Sequence, residues 1–279
     1  MRKIIIVPFL ICAAFFLPSL ISPELQAKTN WKTLAPGLEL GIYDVQSEVM
    51  TGDASITILR IDPSKYDLKL LSMSETGESH GMSVKDWCSK YHCVAGINAG
   101  MFAQDNFTHI GFMRSGNHVN SSKVTSYKSV AAFSPKEKGI PRFRIFDLDK
   151  TEMSTIKKKY GCVVQNLRLL KRPGINCWSE QDKKWSEAAL AEDKSGRVLF
   201  IFSRHPYSMH YFNRILLKLP IDIVCAQHLE GGPEAQMYIN AGKTELEKVG
   251  SYETGFNEDV GNEKGWSIPN VIGVVKRGK

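Results

Sequence analysis

The hydrophobic and polar pattern of the chain breaks into many short segments, few of which keep a helical period. Residues 55–62 and 66–72 alternate or run apolar on either side of Asp62-Pro63-Ser64, which predicts two strands joined as a hairpin. Residues 83–91 place Ser83 ahead of Val84 and Trp87, the pattern of a capped helix. Residues 94–97 form a short apolar strand that stops at Asn98-Ala99-Gly100. Residues 130–133 and 142–146 are strand candidates separated by the turn-rich stretch 134–139, and 162–170 is a further one. Residues 188–191 and 198–202 flank Asp193-Lys194-Ser195-Gly196, a strong hairpin signal. Met209, Phe212, Leu216 and Leu219 recur at helical spacing and predict an amphipathic helix over 207–219. The apolar run 216–226 looks like a buried strand, and 268–275 closes the chain as a strand opened by Pro269. Short strands with interposed helices imply one α+β domain: a mixed, largely antiparallel sheet with flanking helices. There is no internal repeat and no low-complexity linker.

The first 27 residues stand apart from this pattern. Arg2 and Lys3 precede an almost unbroken apolar segment, 4–20, and Leu25-Gln26-Ala27 supplies a small-residue cleavage site. That predicts a signal peptide over 1–27, a mature domain over 28–279, and export to the periplasm or the medium. A membrane anchor is the competing reading, since 4–20 approaches the lower length limit of a spanning helix. Pro18, Pro23 and Ala27 favour cleavage, and no second segment is long enough to keep the mature chain in a membrane.

Loss of Arg2, Lys3 and Glu24 takes the formal charge from +7 to +6. The excess is scattered, with Lys157-Lys158-Lys159 the only short run, and no basic and aromatic surface argues for nucleic acid. Five cysteines remain: Cys88, Cys93, Cys162, Cys177 and Cys225. The odd number leaves at least one free. Cys88 with Cys93, and Cys162 with Cys177, are closest in sequence and would each close a short loop, whereas Cys225 reads as a buried thiol. No Cys-x-x-Cys occurs, and no His stands at zinc-site spacing from a Cys pair.

The chemistry concentrates in Gln227-His228-Leu229-Glu230-Gly231-Gly232-Pro233-Glu234-Ala235, which sets a His, two carboxylates and paired glycines at one strand end. Missing Cβ atoms there let a ligand come close to the backbone. The alternative is a tight turn with solvated glutamates. Arg204-His205-Pro206-Tyr207 follows a predicted strand and precedes a helix, a place for an anion, or equally a solvated connection. No Gly-x-Ser-x-Gly and no phosphate-cradling Gly-x-x-x-x-Gly-Lys loop occurs.

Four segments, 96–102, 165–170, 229–234 and 268–274, resemble in their order the phosphodiester glycosidase family, over roughly 55–275. The family's Asn-Gly-Gly-Phe-Phe type segment falls on Asn98, Ala99, Gly100, Met101 and Phe102. Its Leu-Asp-Gly-Gly-Gly-Ser segment falls on Leu229, Glu230, Gly231, Gly232, Pro233 and Glu234. Glu230 thus replaces Asp, Pro233-Glu234 replaces Gly-Ser, and Ser186-Glu187-Ala188 stands where many members have Arg-Thr-Ala. The resemblance implies an α+β domain with a cleft and hydrolysis of a sugar joined through its anomeric oxygen to phosphate. Such a reaction wants a carboxylate near the oxocarbenium-like centre and a cation on the phosphate. The expected catalytic residues are Glu230, Glu234 and Asn98, the last also a candidate for orienting a sugar hydroxyl. The expected substrate contacts are Gly100, Phe102, Arg168, Arg204, His205, His210, His228, Gly231 and Gly232, with Arg114 as a further cation. No metal site and no cofactor are expected. A divalent cation stays open under a third reading, a metal-dependent phosphodiesterase. The second reading is a carbohydrate-binding or envelope-associated protein that keeps the fold without the chemistry, motivated by Ser186 in place of Arg.

Overall fold

The computed structural model describes residues 31–45 and 53–278, so the predicted signal at 1–27 lies outside the described residues. Three antiparallel sheets make the architecture. The largest has eight strands in the order Lys32–Ala35, Leu38–Tyr43, Ile56–Ile61, Val198–Tyr207, Trp185–Asp193, Ile223–Gly231, Arg168–Lys171 and Ile175–Asn176. The second runs His118–Ser121, Met113–Ser115, Tyr160–Asn166, Ser129–Pro135 and Phe143–Asp147. The third runs Thr244–Val249, Gln236–Ala241, Ala95–Asn98, Asn270–Lys276 and Tyr66–Ser72. Among the described residues four short α-helices accompany them, and the fold is α+β as the pattern implied.

Two predicted helices form with their caps. Ser83 Oγ accepts the Asp86 N–H ahead of Val84–Lys90, and Ser208 Oγ accepts the Tyr211 N–H ahead of Met209–Lys218. Each cap satisfies a donor that the first turn leaves without an intrahelical partner. The hairpin around 193–196 also forms, with Asp193 Oδ1 accepting the Ser195 and Arg197 N–H groups.

Three readings of the pattern are corrected. Ile56–Ile61 and Tyr66–Ser72 do not pair with each other: Asp62 Oδ1 accepts from Ser64, the turn redirects the chain, and the two strands enter different sheets. The run 162–170 is two strands in two sheets, Tyr160–Asn166 and Arg168–Lys171, divided at Leu167, whose carbonyl accepts the His228 N–H. The run 216–226 is likewise divided. Its start ends a helix, Asp222 takes φ +53°, and Ile223–Gly231 follows as a strand buried along its whole length. Lys218, Pro220 and Asp222 interrupt the run, and Pro220 stands just past the end of the helix, where proline cannot continue it.

The core joins the inner faces of all three sheets, with Leu59, Ile97, Phe133, Leu190, Phe200, Leu229 and Ile272 in one cluster. A second cluster packs Met209, Phe212 and Leu216 of the long helix against the outer face of the large sheet. The sheets therefore bring the ends of Ala95–Asn98, Tyr160–Asn166 and Ile223–Gly231 together: Asn166 Nδ2 donates to Ala99 O (3.0 Å), and Asn98 is hydrogen-bonded to the main chain at 234–236. Those three strand ends frame the site.

Candidate active site

Within the large sheet, Glu187 lies opposite Gly231 and Ala188 opposite Glu230, but Ala189 lies opposite His228. The register shift leaves Leu229 as an extra residue, a bulge that bends the strand and re-aims its polar side chains. His228 Nδ1 is hydrogen-bonded to both oxygens of Glu187 at 2.9 Å, and the Trp185 indole N–H donates to Glu187 Oε2 at 2.7 Å. Glu187 is fully buried, so this pairing is what makes its burial tolerable.

Glu230 is also buried. Its Oε1 accepts the Gly231 N–H (3.2 Å), and its Oε2 has no partner. Gly231 must be glycine because a Cβ would sit 2.8 Å from Trp185 Cδ1. Gly232 has φ +60°, and a Cβ there would lie 2.8 Å from Glu253 Oε2. The paired glycines are thus where the chain passes between Trp185 and Glu253. Glu234 follows, half-buried, its carbonyl accepting Asn98 Nδ2 (2.9 Å) while Asn98 Oδ1 accepts the Gln236 N–H (2.7 Å). Asn98 is 1% exposed. Its amide works on the main chain that carries Glu234, which makes it a positioning residue.

Four glutamates therefore stand around His228 and the glycine pair, and each has its carboxyl raised. Burial is the first cause for Glu230, whose value lies well above the usual range, with Glu234, Glu253 and Glu187 adding repulsion. Glu234 is pushed up to about 7 by burial and by Glu253. Glu253 is raised by burial against the pull of His228 and Lys183, and Glu187 by burial against His228 and Trp185. The cluster thus combines a buried carboxyl that burial and its neighbours push toward the protonated form with a half-buried one whose midpoint is about 7. That pairing is suited to acid–base work.

Behind these residues lies a layer of buried amides with free hydrogen-bonding capacity. Asn166 Oδ1, Gln227 Nε2 and both amide atoms of Asn270 have no partner. Asn270 O accepts the Ala99 N–H (3.3 Å), and a Cβ at Gly100, with φ +152°, would overlap Asn166 and His109. Burial pushes His109 down to about 4, so it is neutral. Buried polar atoms without partners are costly in a core and are a mark of a place where a ligand completes the set.

The model of the phosphodiester glycosidase family matches residues 91–275. The chain belongs to the phosphodiester glycosidase family. Its fold is similar to the zebrafish N-acetylglucosamine-1-phosphodiester alpha-N-acetylglucosaminidase catalytic domain auto-inhibited by its pro-peptide. That match has 15% identity and a TM-score of 0.61 and covers 88% of this chain and 86% of that one. It is also similar to a hypothetical protein from Synechocystis, at 13% identity and a TM-score of 0.57, covering 86% of this chain and 62% of that one. At these identities the likeness concerns the fold. A search of curated proteins gave no match.

In this phosphodiester glycosidase family member, Glu230, Glu234, His228, Gly231, Gly232 and Asn98 come together, with Gly100 against Asn166, whereas Phe102 packs half-buried on the apolar cluster of Leu71, Trp87 and Tyr238. The arginines stand elsewhere in the hydrogen-bond network. Arg204 donates to Val249 O (2.7 Å), Val260 O (2.9 Å) and Asn262 O (2.7 Å), so its guanidinium holds the 249–262 segment and does not offer itself to an anion. Arg168 is ion-paired with Asp147 (2.6 Å) and Asp149 (2.7 Å), and Arg114 donates to the carbonyls of Lys157, Tyr160 and Gly161. His205 and His210 line a separate cleft of about 550 Å³ at the start of the long helix, where His210 Nδ1 is bonded to Trp178 O (2.6 Å). Ser186 donates to Arg204 O (2.6 Å) and accepts from Ser251 N (3.0 Å). Among the described residues, no three His, Cys, Asp or Glu side chains are arranged to hold a metal ion, and no helix is long and apolar enough to cross a membrane.

Sequence reasoning missed Glu187, Glu253, Trp185, Asn166 and Asn270 as site residues. A glutamate inside the apolar strand 185–193 was a readable sign for Glu187. Glu253 sits in a polar loop and carried no such sign.

Proposed function

We propose that this chain is an exported hydrolase that cleaves the bond between an anomeric carbon and a phosphodiester oxygen, in a sugar phosphodiester or a related envelope polysaccharide. The observation that carries the reading is Glu230, buried, with one free carboxyl oxygen, beside the half-buried Glu234. A phosphodiester is an anion and could not settle against four ionised carboxylates. Burial raises all four carboxyls, which weakens that repulsion, and in its protonated form Glu230 can donate a hydrogen bond to the phosphate oxygen that departs. Glu234, ionised above about 7, supports the oxocarbenium-like centre or activates water. Lys183 is a cation beside the cluster, and His228 is hydrogen-bonded to Glu187 within it. The free amides of Asn166 and Asn270 provide for sugar hydroxyls. Release of reducing sugar from a panel of α-sugar-1-phosphodiesters, with Glu230→Gln as the control, tests this. Release is expected to fall by a factor of at least about 10² in the variant, the lower range for general acid–base groups. Full activity in Glu230→Gln would sink the assignment.

Ser186 in place of the family Arg favours a second reading, glycan binding without hydrolysis. It predicts saturable binding that survives Glu230→Gln, with no sugar or phosphate released.

A further inference from the structure

The helix Val84–Lys90 ends in a left-handed turn: His92 has φ +56°, and the Cys93 N–H donates to Cys88 O (2.9 Å). This is the Schellman arrangement, whose geometry sets the third-last helical residue against the second residue beyond the C-cap, here Tyr91. Here those two residues are Cys88 and Cys93. Beneath them, Gly96 and Gly273 are direct partners on adjacent strands. A Cβ on Gly96 would overlap Cys88 Sγ, and one on Gly273 would overlap Cys93 Sγ. Cβ positions of directly opposed residues lie about 4.5–5.5 Å apart, so the two sulfurs are side by side in a niche that exists because both strands carry glycine. Cys93 Sγ also donates to Tyr91 O (3.7 Å), and each thiol shifts the acidity of the other. Both are free, with Cys88 1% and Cys93 7% exposed. The other cysteines have different neighbours: Ser115 for Cys162, Ile175 O for Cys177, Glu192 for Cys225.

We propose that Cys88 and Cys93 are a redox-responsive pair that closes into a disulfide on meeting a disulfide oxidant such as oxidised glutathione. Cys93 is the less buried residue of the two, and its thiol is drawn down by Cys88 beside it and by Lys69. Its thiolate attacks one sulfur of the oxidant and releases one reduced glutathione. The Cys88 thiolate then displaces the second. In total the two cysteines lose two protons and two electrons, one S–S bond forms between them, and the oxidant leaves as two thiols. The bond would fasten the helix whose first amide, Val84 N–H, donates to Gln236 Oε1 (2.9 Å), and Gln236 N–H is the group that Asn98 holds beside Glu234. The support of the carboxylate site is therefore one cross-link away from being fixed, independently of which substrate the site takes.

The test uses protein purified under reducing conditions, incubated with or without oxidised glutathione, then alkylated and digested with trypsin. Trypsin cuts after Lys90, so residues 86–90 and 91–114 separate unless Cys88 is bonded to Cys93. The expected result is the joined pair of peptides after oxidation, and a Tm higher by roughly 5 °C than that of the reduced protein, with both effects absent in Cys88→Ser. Alkylation of both sulfurs after oxidation, or Cys93 joined to a different cysteine, would overturn the proposal. Should Cys88→Ser not fold, the peptide result on the unsubstituted protein decides alone.

Discussion

Replacing Glu234 by Gln should stabilise the protein at alkaline pH and leave it unchanged in acid. The carboxyl of Glu234 is raised from the ordinary 4.5 to about 7, first by burial and then by Glu253. A raised carboxyl means that the folded chain binds this proton more tightly than the unfolded chain does. Its stabilising contribution is therefore complete below about pH 4.5 and is lost as pH rises through about 7. A rise of about 2.5 pH units at ~1.36 kcal/mol each gives ~3.4 kcal/mol. Because Glu234 is half-exposed and solvent screens it, roughly 1–2 kcal/mol should be realised. Gln keeps the shape and cannot ionise, and it also relieves Glu230, on which Glu234 is the largest charge effect. Urea unfolding of both proteins at pH 4, 6 and 8.5 measures the difference. Coincident stability at pH 4 and a gain of roughly 1–2 kcal/mol for Glu234→Gln at pH 8.5 are expected. A difference that does not change with pH, or a variant less stable at pH 8.5, would refute the account of the carboxylate cluster.

The same electrostatics predicts an activity for a sugar phosphodiester substrate that rises as Glu234 ionises near pH 7, with both that rise and most of the activity lost in Glu234→Gln; an unchanged profile in the variant would deny Glu234 its role. Asn98→Ala removes two buried hydrogen bonds to the main chain at 234–236 and should cost about 2–3 kcal/mol in unfolding experiments; a loss below about 0.5 kcal/mol would deny Asn98 its positioning role. Arg204→Ala frees three main-chain carbonyls, so limited proteolysis should begin within 249–262, and unchanged protection of that segment would contradict the structure.

Much of this protein was legible locally. Ser83 announced the helix it caps, and Asp193-Lys194-Ser195-Gly196 fixed its hairpin, because caps and turns are satisfied by neighbours within a few residues. The nine residues from Gln227 marked the strand end that carries Glu230 and Glu234, and the ordered motifs pointed to the family that the match over 91–275 establishes. What lay beyond reach depended on contacts between distant segments. Glu187 and Glu253 meet His228 and Gly232 across intervals of 41 and 21 residues, and neither interval has a periodic signature. The same holds for the arginines: a guanidinium that bonds three carbonyls some 45–58 residues away looks, in sequence, like one waiting for phosphate. The strands at 56–61 and 66–72 make the point for the fold, since alternation tells a strand which side to bury but not which neighbour will satisfy its edges. The sequence by itself determined the elements and the chemistry available at one strand end. The tertiary structure decided which charges share a low-dielectric space, and hence which carboxyl keeps its proton, because burial and repulsion act through space and take no account of order along the chain.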